Sequence, residues 1–346
     1  MPTPAYRLTL KTGKDITTTL AQRLITLTLT EARNNEADQL DITLDDSDGQ
    51  LALPSKGQTL ALAIGWQGQG LIDKGTYTVN EVEHTGQIGS ADQITIRARS
   101  ADLSSNLRTR QDASYHSTTL GAILTQIAAR HSLAPRIDPT LAATAVAHID
   151  QTGESDLAFV TRLAKRYDAV ATIKLGRLLF LPISGTKTSK GKKLEPVQIT
   201  RASGDQHRYH TSDRDHYSGV RAYYHDGKAA KRKGVLVGKS GNAKRLQESY
   251  ATQAEAQAAA AAEWRRLQRG AATFELTLAL GNPLLSPQTP VQVSGFKPDI
   301  NAINWLTIRA THTIGDGGYT TRIELENAEA DTSTGGTVHD LDVGQE

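Results

Sequence analysis

The chain has 346 residues, no cysteine, a net charge of +2 and 38% hydrophobic residues, a composition typical of a soluble globular protein with two or three domains. The absence of cysteine excludes disulfides, thiolate nucleophiles and cysteine-ligated zinc, and the small net charge does not favour a nucleic-acid-binding function. The N-terminus lacks the basic and apolar regions of a signal peptide. The longest strongly apolar run, 178–183, is far shorter than the ~20 residues that cross a bilayer, so no membrane insertion is expected.

The first third of the chain has the period-two alternation of antiparallel strands. Leucine and isoleucine alternate with threonine in 25–30, and similar alternation recurs in 40–44, 60–64 and 94–96. Each strand is therefore expected to have one buried face and one solvated face. Turn-forming residues lie between these segments: Asp48-Gly49, Pro54, Gly57 and Gly86. Several short strands at this spacing predict a β-barrel or a β-sandwich.

The middle of the chain changes to helical periodicity. Apolar residues repeat at helical spacing in 120–128, with Ser117 as the N-cap candidate, and again in 157–167, where Ser155 opens the helix. A hairpin is predicted over 169–183, with a Gly-Arg turn between two apolar strands.

The last third returns to strands around one inserted helix. Thr252 and Glu255 form a capping box ahead of an alanine-rich run, which predicts a helix over 252–269. Alternation resumes in 274–280. The polar, acidic end of the chain, 331–346, is predicted to be a flexible tail.

A weak internal repeat relates the two β-rich thirds. In the first, a strand ends in Gly65-Trp66 and the next strand ends in His84-Thr85; in the second, the corresponding pairs are Gly295-Phe296 and His312-Thr313. From glycine to histidine there are 19 residues in one copy and 17 in the other. Either any two β-meanders share such a pattern, or the chain carries two copies of one barrel. In the second case, three chains would place six similar barrels in a ring, matching a sixfold object on one side and a threefold object on the other.

Two clusters of potential ligands are candidates for metal sites. Four histidines are close in sequence: His207, His210, His216 and His225. They lack the paired turn or helix spacing that zinc sites use, so exposed strand and loop histidines are favoured and no metal is expected. A calcium loop is suggested by Asp45, Asp46, Asp48 and Gly49. The bidentate glutamate of an EF-hand is missing, since Lys56 or Gly57 stands in its place, and a turn is favoured.

Other motifs also have simpler interpretations. Gly65, Gly68 and Gly70 precede no helix and no Gly-Lys-Ser/Thr, so they predict a hairpin loop and not a phosphate loop. A basic patch near Tyr223 and Tyr224 would suit phosphates and stacked bases, but it is short, and a solvated hairpin is favoured. Its members are Lys228, Lys231, Arg232 and Lys233. No carboxylate pair, nucleophile elbow or zinc-protease helix identifies a catalytic centre.

Several stretches occur in a specific order between residues 5 and 328. They are the helix and hairpin of 154–180, the helix of 117–133 with its Leu-x-x-Ile-Leu-x-x-Ile-Ala core, and the series Gly281-Asn282-Pro283, Gly295-Phe296, Trp305, His312 and Gly318-Tyr319-Thr320-Thr321. In this order the chain resembles the phage late control protein D family, the baseplate hub proteins of contractile tails. One departure is Pro287-Gln288-Thr289, where a glycine is expected in the turn, so the shape of that loop stays open.

The resemblance implies an α+β fold with two tail-tube-like antiparallel β-barrel domains and an intervening small α/β region. The expected boundaries are 1–105 for the first barrel, 106–190 for the middle region, 191–330 for the second barrel with its inserted helix 252–269, and 331–346 for the tail. Type VI secretion spike proteins begin with the same hub fold and continue into further domains. This chain stops at Glu346, so its spike is expected to be a separate polypeptide.

The implied function is that of a structural baseplate hub, with no catalytic, cofactor-binding or metal-binding residue. A homotrimer would join the sixfold tail tube to a trimeric tail spike protein and line the central channel. The expected partners are the spike, the tail tube protein, the tape measure protein and other baseplate proteins, with DNA only in transit. The expected location is the virion tail baseplate, assembled in the host bacterial cytoplasm.

Three alternatives stay open at this stage. One is a tail-associated cell-wall hydrolase, which the missing acid/base signature disfavours. Another is the hub of a type VI-like or bacteriocin injection particle. The third is a receptor- or sugar-binding module, for which an exposed aromatic platform would be expected although the chain has only three tryptophans and four phenylalanines.

Overall fold

The computed structural model describes residues 2–33, 37–100, 105–174, 176–183, 194–211, 217–227, 231–328 and 339–342. None of the helices in these ranges is long and apolar enough to cross a membrane. The strands, in chain order, are β1 (Pro4–Leu10), β2 (Leu24–Ala32), β3 (Gln39–Asp45), β4 (Thr59–Trp66), β5 (Leu71–Thr85), β6 (Gln93–Ser100), β7 (Arg110–Thr119), β8 (Ala134–Ile137), β9 (Ala145–Ser155), β10 (Ala169–Lys174), β11 (Arg177–Pro182), β12 (Val197–Thr200), β13 (Gly204–Thr211), β14 (Gly219–Asp226), β15 (Lys231–Gly238), β16 (Ala243–Tyr250), β17 (Ala272–Leu278), β18 (Pro290–Ser294), β19 (Trp305–Gly315), β20 (Gly318–Asn327) and β21 (His339–Asp342). The helices are α1 (Thr17–Ala21), α2 (Leu120–Arg130), α3 (Pro139–Ala142), α4 (Asp156–Arg166), α5 (Gln253–Gly270) and α6 (Pro298–Asn301).

One large sheet runs through both β-rich parts of the chain. Its order is β1-β4-β5-β6-β3-β2-β19-β20-β17-β13, and β12 and β18 extend it from β19. We call β1–β6 the first half and β12, β13 and β17–β20 the second half. The predicted α+β fold is confirmed in its coarser form, since the described chain is mostly β with several helices. The pairings of the described strands do not close a barrel in either half, because the outer strand of the first half, β2, pairs with β19 and not with β1.

The two halves have the same order of strand pairing. In the first half β1, β4, β5, β6, β3 and β2 follow one another, and in the second half β12, β18, β19, β20, β17 and β13 do so. One difference is that β1 pairs with β4 antiparallel whereas β12 pairs with β18 in parallel.

The irregularities of the strands repeat as well. Asn80 is an unpaired bulge residue in β5, and Ile308 is its counterpart in β19. His84 and His312 lie four residues beyond these bulges, so the two histidines occupy equivalent positions. A second pair of bulges falls at equivalent places in β2 and β13. Since bulges shift every following side chain, their agreement supports an internal repeat and not a chance likeness of two meanders.

An insertion between β13 and β17 is larger than the single helix predicted from the sequence. Strands β14, β15 and β16 form a separate sheet, on which α5 packs with its own buried core. Thr252 caps α5 by accepting a hydrogen bond from the amide of Glu255, as the capping box predicts. In the predicted tail, β21 pairs with β15, and 331–338 and 343–346 lie outside the described residues.

The middle region has the two predicted helices and the predicted hairpin. Ser155 caps α4 by accepting from the amide of Ala158, as expected. Thr119, and not Ser117, caps α2 by accepting from the amide of Ala122. The reason is that Ser117 lies inside β7 with a positive φ, two residues too early for its hydroxyl to meet the first turn.

The loop without the expected glycine has an unusual backbone. Gln288 has φ +70°, in the left-handed region that glycine normally supplies. Two backbone hydrogen bonds with Thr307 hold the loop. The amide of Gln288 donates to the carbonyl of Thr307 at 2.9 Å, and the amide of Thr307 donates to the carbonyl of Thr289 at 3.0 Å. The turn therefore keeps the conformation that a glycine would favour, at the expense of local strain.

Candidate functional site: the seam between the sheet halves

The two halves meet at a seam formed by β2 and β19. Seven residue pairs form its antiparallel ladder, from Thr26 opposite Gly315 to Ala32 opposite Arg309. Leucines of β2 point into the core, and its threonines occupy the other face. Thr28 lies opposite Thr313 and Thr30 opposite Thr311, a cross-strand arrangement that stabilises a sheet without exposing a large apolar patch.

A tryptophan from the first half reaches across the seam. The indole nitrogen of Trp66 donates to the carbonyl of Gly281 at 2.9 Å, and its ring lies 5.1 Å from that of Tyr319. Any side chain at Gly281 would meet the Tyr319 ring, since a Cβ there would stand 2.4 Å from it. The glycine is therefore required by close packing, and the contact fixes how the halves are oriented.

Buried charges lie beside this contact. Lys74 of β5 donates to Glu31 at 2.7 Å and to the carbonyl of Leu285 at 3.1 Å, and its Nζ is 3.3 Å from Nε2 of His312. Burial alone would raise the pKa of Glu31, but contacts with His312, Lys74 and nearby Lys174 outweigh it and lower that pKa to about 2. Glu31 is thus held ionised in the interior by partners from both halves.

The middle region contributes to the same group of charges. Lys174 at the end of β10 lies 2.6 Å from Asp38 and 3.5 Å from Glu31. Burial opposes the charged form of this lysine, yet the two carboxylates outweigh it and raise the pKa of Lys174. Burial raises the pKa of Asp38, although Lys174 opposes that shift. One ionic cluster therefore joins the first half, the second half and the middle region.

The seam is expected to lose stability in acid. Burial lowers the pKa of His312, which ordinarily lies near 6.5. Below that pH the unfolded chain takes up a proton that the folded chain resists, so the free energy of unfolding falls as the pH drops. Glu31 acts with the same sign at lower pH: its contribution is present above about 4.5 and is lost as the pH falls towards 2. Asp38, whose pKa is raised, opposes these effects in part.

His312→Gln tests this pH dependence. Urea unfolding between pH 7.5 and 5.5 should show a smaller loss of stability in the variant than in the parent chain. His84→Gln is the matched control, because His84 occupies the equivalent position but its side chain is 43% exposed. If the free energy of unfolding falls with pH equally in the parent chain and in His312→Gln, buried His312 is not the cause of the acid sensitivity.

A second ionic cluster joins the middle region to α5 and the second half. Asp168 follows α4 with φ +53° and lies 2.8 Å from Arg269 and 3.1 Å from Arg265 of α5. Arg269 also lies 3.2 Å from Glu326 of β20, which pairs in turn with Arg33 at the end of β2. All but Arg265 are buried. Charges buried at this depth are tolerated only when paired, so the cluster constrains how the regions pack.

Comparisons with known proteins agree with this architecture. A family model described as phage tail baseplate hub (GPD) matches residues 31–318. The probable baseplate hub proteins of Escherichia phages 186 and P2 are each 41% identical to this chain; the match covers 95% of the chain and 96% of the 186 protein, and 94% and 93% for P2.

The chain belongs to the phage tail baseplate hub family. It is a structural protein of a phage tail baseplate and not an enzyme, as the sequence predicts. The 43 kDa tail protein of prophage MuSo2 from Shewanella oneidensis shares the fold, with a TM-score of 0.69 and 17% identity over 94% of this chain and 98% of that chain.

The geometry explains two of the stretches on which the resemblance to hub proteins rests. Gly281 receives the Trp66 indole and donates its own amide to Tyr319 at 2.7 Å, and the amide of Asn282 donates to Thr321 at 3.0 Å. In 154–167, Asp156 is fully buried and lies 2.7 Å from His131 of the α2 C-terminus. Both stretches are thus packing elements of the hub fold.

The residues considered for metal binding are not brought together in the described part of the hub protein. His207 and His210 lie on β13 and His225 on β14, a separate sheet, and His216 lies outside the described residues. No group of three potential ligands is found among the described residues. That the hub has no catalytic, cofactor or metal residue stays a prediction.

The other candidate motifs have structural roles. Asp45, Asp46 and Asp48 accept hydrogen bonds from backbone amides of their own turn, and Arg23 binds Asp48 at 2.7 Å. The glycines of 65–70 lie at the β4–β5 hairpin. In the basic patch, Arg232 and Arg245 lie over the Tyr223 ring at 4.3 and 4.8 Å, so arginines already occupy the aromatic surface that bases would need. Lys228 lies outside the described residues.

Sequence reasoning missed the buried charges of the seam. Glu31 was the available signal, because it falls on the same strand face as Leu27 and Leu29, where an apolar residue is expected. Its partners could not be found in the same way, since Lys74 and His312 come from strands far apart in the chain.

Proposed function

We propose that three copies of the chain form a ring that joins the sixfold tail tube to a trimeric tail spike and lines the central channel. The observation that carries this proposal is the repeated order of strand pairing, with matching bulges, in the two halves of one chain. Three chains then present six similar units and keep threefold symmetry.

The proposed ring defines the roles of the regions. Residues 1–105 and 191–330 act as the two tail-tube-like domains, with the insertion carried by the second, and 106–190 acts as the small region between them. The tube protein contacts the six similar units, and the spike follows the threefold axis. Tape measure protein and then DNA pass through the channel, other baseplate proteins bind the outside, and assembly takes place in the host cytoplasm.

Experiments distinguish two alternative functions from the proposed one. A hub of a type VI-like or bacteriocin particle would use the same ring, and the type of particle from which the protein is purified distinguishes it. A cell-wall hydrolase or sugar-binding module would release soluble fragments from peptidoglycan or retain glycans, and we expect neither result.

The mass of the assembled complex tests the proposed function. The chain is mixed with the trimeric spike protein of the same particle, and the complex is weighed by native mass spectrometry. Three copies of each protein are expected. A stable hexamer of the chain, or no association with spike or tube under any condition, would contradict the proposal.

A further inference from the structure

Several strand edges of the large sheet, including those of β1 and β12, pair along one side only among the described residues. Two of these edges, β13 and the end of β5, are the ones that correspond to strands of the seam. Strand β13 pairs with β17 on one side only. The end of β5, from Asn80 to Thr85, pairs with β6 on one side, since β4 stops opposite Thr78. Most side chains on both edges are exposed. Open edges of this kind attract other strands, so a native protein either protects them or uses them.

The internal repeat makes these two edges counterparts of the seam. By pairing order, β13 corresponds to β2, and β5 corresponds to β19. The part of β19 that receives β2, Arg309–Gly315, corresponds to the segment of β5 that begins at Glu81, just beyond the shared bulge. Within one chain, therefore, β2 of the first half pairs with β19. Its counterpart in the second half, β13, has no partner strand on the corresponding side among the described residues.

We propose that β13 of one copy pairs antiparallel with the end of β5 of the next copy, in the register of the seam. Superposing the repeats by their bulges places His210 opposite Glu83, as Thr30 lies opposite Thr311. It also places Tyr209 opposite His84, as Leu29 lies opposite His312. The inference rests on the proposed trimeric ring and names the strands that close it.

The charges on the two edges favour this pairing over self-pairing. Glu81 and Glu83 on the β5 edge share one cation, Arg97 of β6, at 2.6 and 3.6 Å, so two carboxylates against one guanidinium leave this edge net acidic. Arg208 and His210 lie on one face of the β13 edge. In the proposed register His210 faces Glu83, and Arg208 lies diagonal to it. Two β5 edges or two β13 edges would instead bring like charges together, which destabilises cross-strand pairs. At the seam these positions carry only uncharged threonines.

This difference in charge selects a head-to-tail contact between copies. An edge that binds only its complement gives a head-to-tail contact, and head-to-tail contacts form rings or open filaments according to their rotation. Each copy adds its two similar sheet halves to the ring. A ring that closes after three copies therefore contains six halves. The same kind of strand contact joins the halves within a chain and between chains. The barrel that neither half closes by itself would then be completed by the ring.

Engineered cysteines test the register, because the chain has no cysteine of its own. Glu83→Cys combined with His210→Cys places two thiols on directly opposed residues, whose Cα atoms should be about 4.5–5.5 Å apart and within reach of a disulfide. Oxidation of the assembled hub–spike complex should give covalent dimers and trimers of the chain, and no larger species. Glu83→Cys with Tyr209→Cys is the control, since a shift of one residue turns the second thiol to the other face.

The outcomes separate this inference from the proposed function. The inference is overturned if the complex has three copies by mass but the Glu83/His210 pair does not cross-link, or if the Tyr209 control cross-links equally well. Either result leaves the trimeric hub intact. A complex without three copies overturns both. As a second measure, Glu83→Lys should weaken association several-fold, and adding His210→Glu, with Arg208→Glu, should restore it.

Discussion

Replacement of Arg269 by methionine is expected to lower the free energy of unfolding by about 3–5 kcal/mol. The Arg269 side chain is 2% exposed, and its guanidinium lies within 2.8 Å of Asp168 and 3.2 Å of Glu326. Its removal leaves two buried carboxylates with fewer partners, and methionine restores the volume but not the charge. Urea or guanidinium unfolding followed by circular dichroism measures the effect.

An exposed ion pair provides the control for this variant. Arg322 pairs with Glu275 at 2.7 Å, but its side chain is 58% exposed, so Arg322→Met should cost less than about 1 kcal/mol. Equal effects of the two substitutions would show that burial of the Asp168 cluster contributes nothing. Arg265 and Arg33 stay beside Asp168 and Glu326 in the variant, which is why we expect a destabilised chain and not an unfolded one.

Replacement of Lys74 by methionine should have an effect of similar size, about 3–5 kcal/mol, at the seam. The Lys74 side chain is 4% exposed, and its ammonium group is the nearest cation to Glu31, at 2.7 Å. Without it, Glu31 keeps only the more distant Lys174, at 3.5 Å, and His312, at 3.6 Å. The unfolding midpoint in urea, followed by circular dichroism, gives the stability.

Two further variants identify the cause of that effect. Glu31→Gln added to Lys74→Met removes the uncompensated charge and should recover a substantial part of the lost stability, because the two residues interact directly. Lys11→Met changes an exposed lysine and should shift stability by no more than about 0.5 kcal/mol. If Glu31→Gln makes Lys74→Met less stable still, the pair is not the source of the effect.

The large sheet shows which structural features the periodicity of the sequence can predict. The alternation of leucine and threonine predicted β2 and its buried face, and the structure has Leu27 and Leu29 fully buried. Serine before an amphipathic run predicted the cap of α4. The N-cap of α2 was wrong by two residues, since β7 continues past Ser117 to Thr119. Local sequence patterns predict the presence of secondary-structure elements better than they predict where the elements begin and end, because the ends also depend on neighbouring strands.

The sequence by itself determined many of the strands and helices and the resemblance to the hub family, because these depend on local periodicity and on the order of short motifs. It left the repeat of the two β-rich thirds open, and the strand order and matching bulges of the structure support it. Only the tertiary structure decided that β2 pairs with β19 and that the insertion forms its own sheet. It also decided which charges are buried together: Arg33 and Glu326, for example, are 293 residues apart in the chain. No pattern of neighbouring residues specifies such a partner, because the energy of a buried charge depends on the groups that the whole fold brings around it.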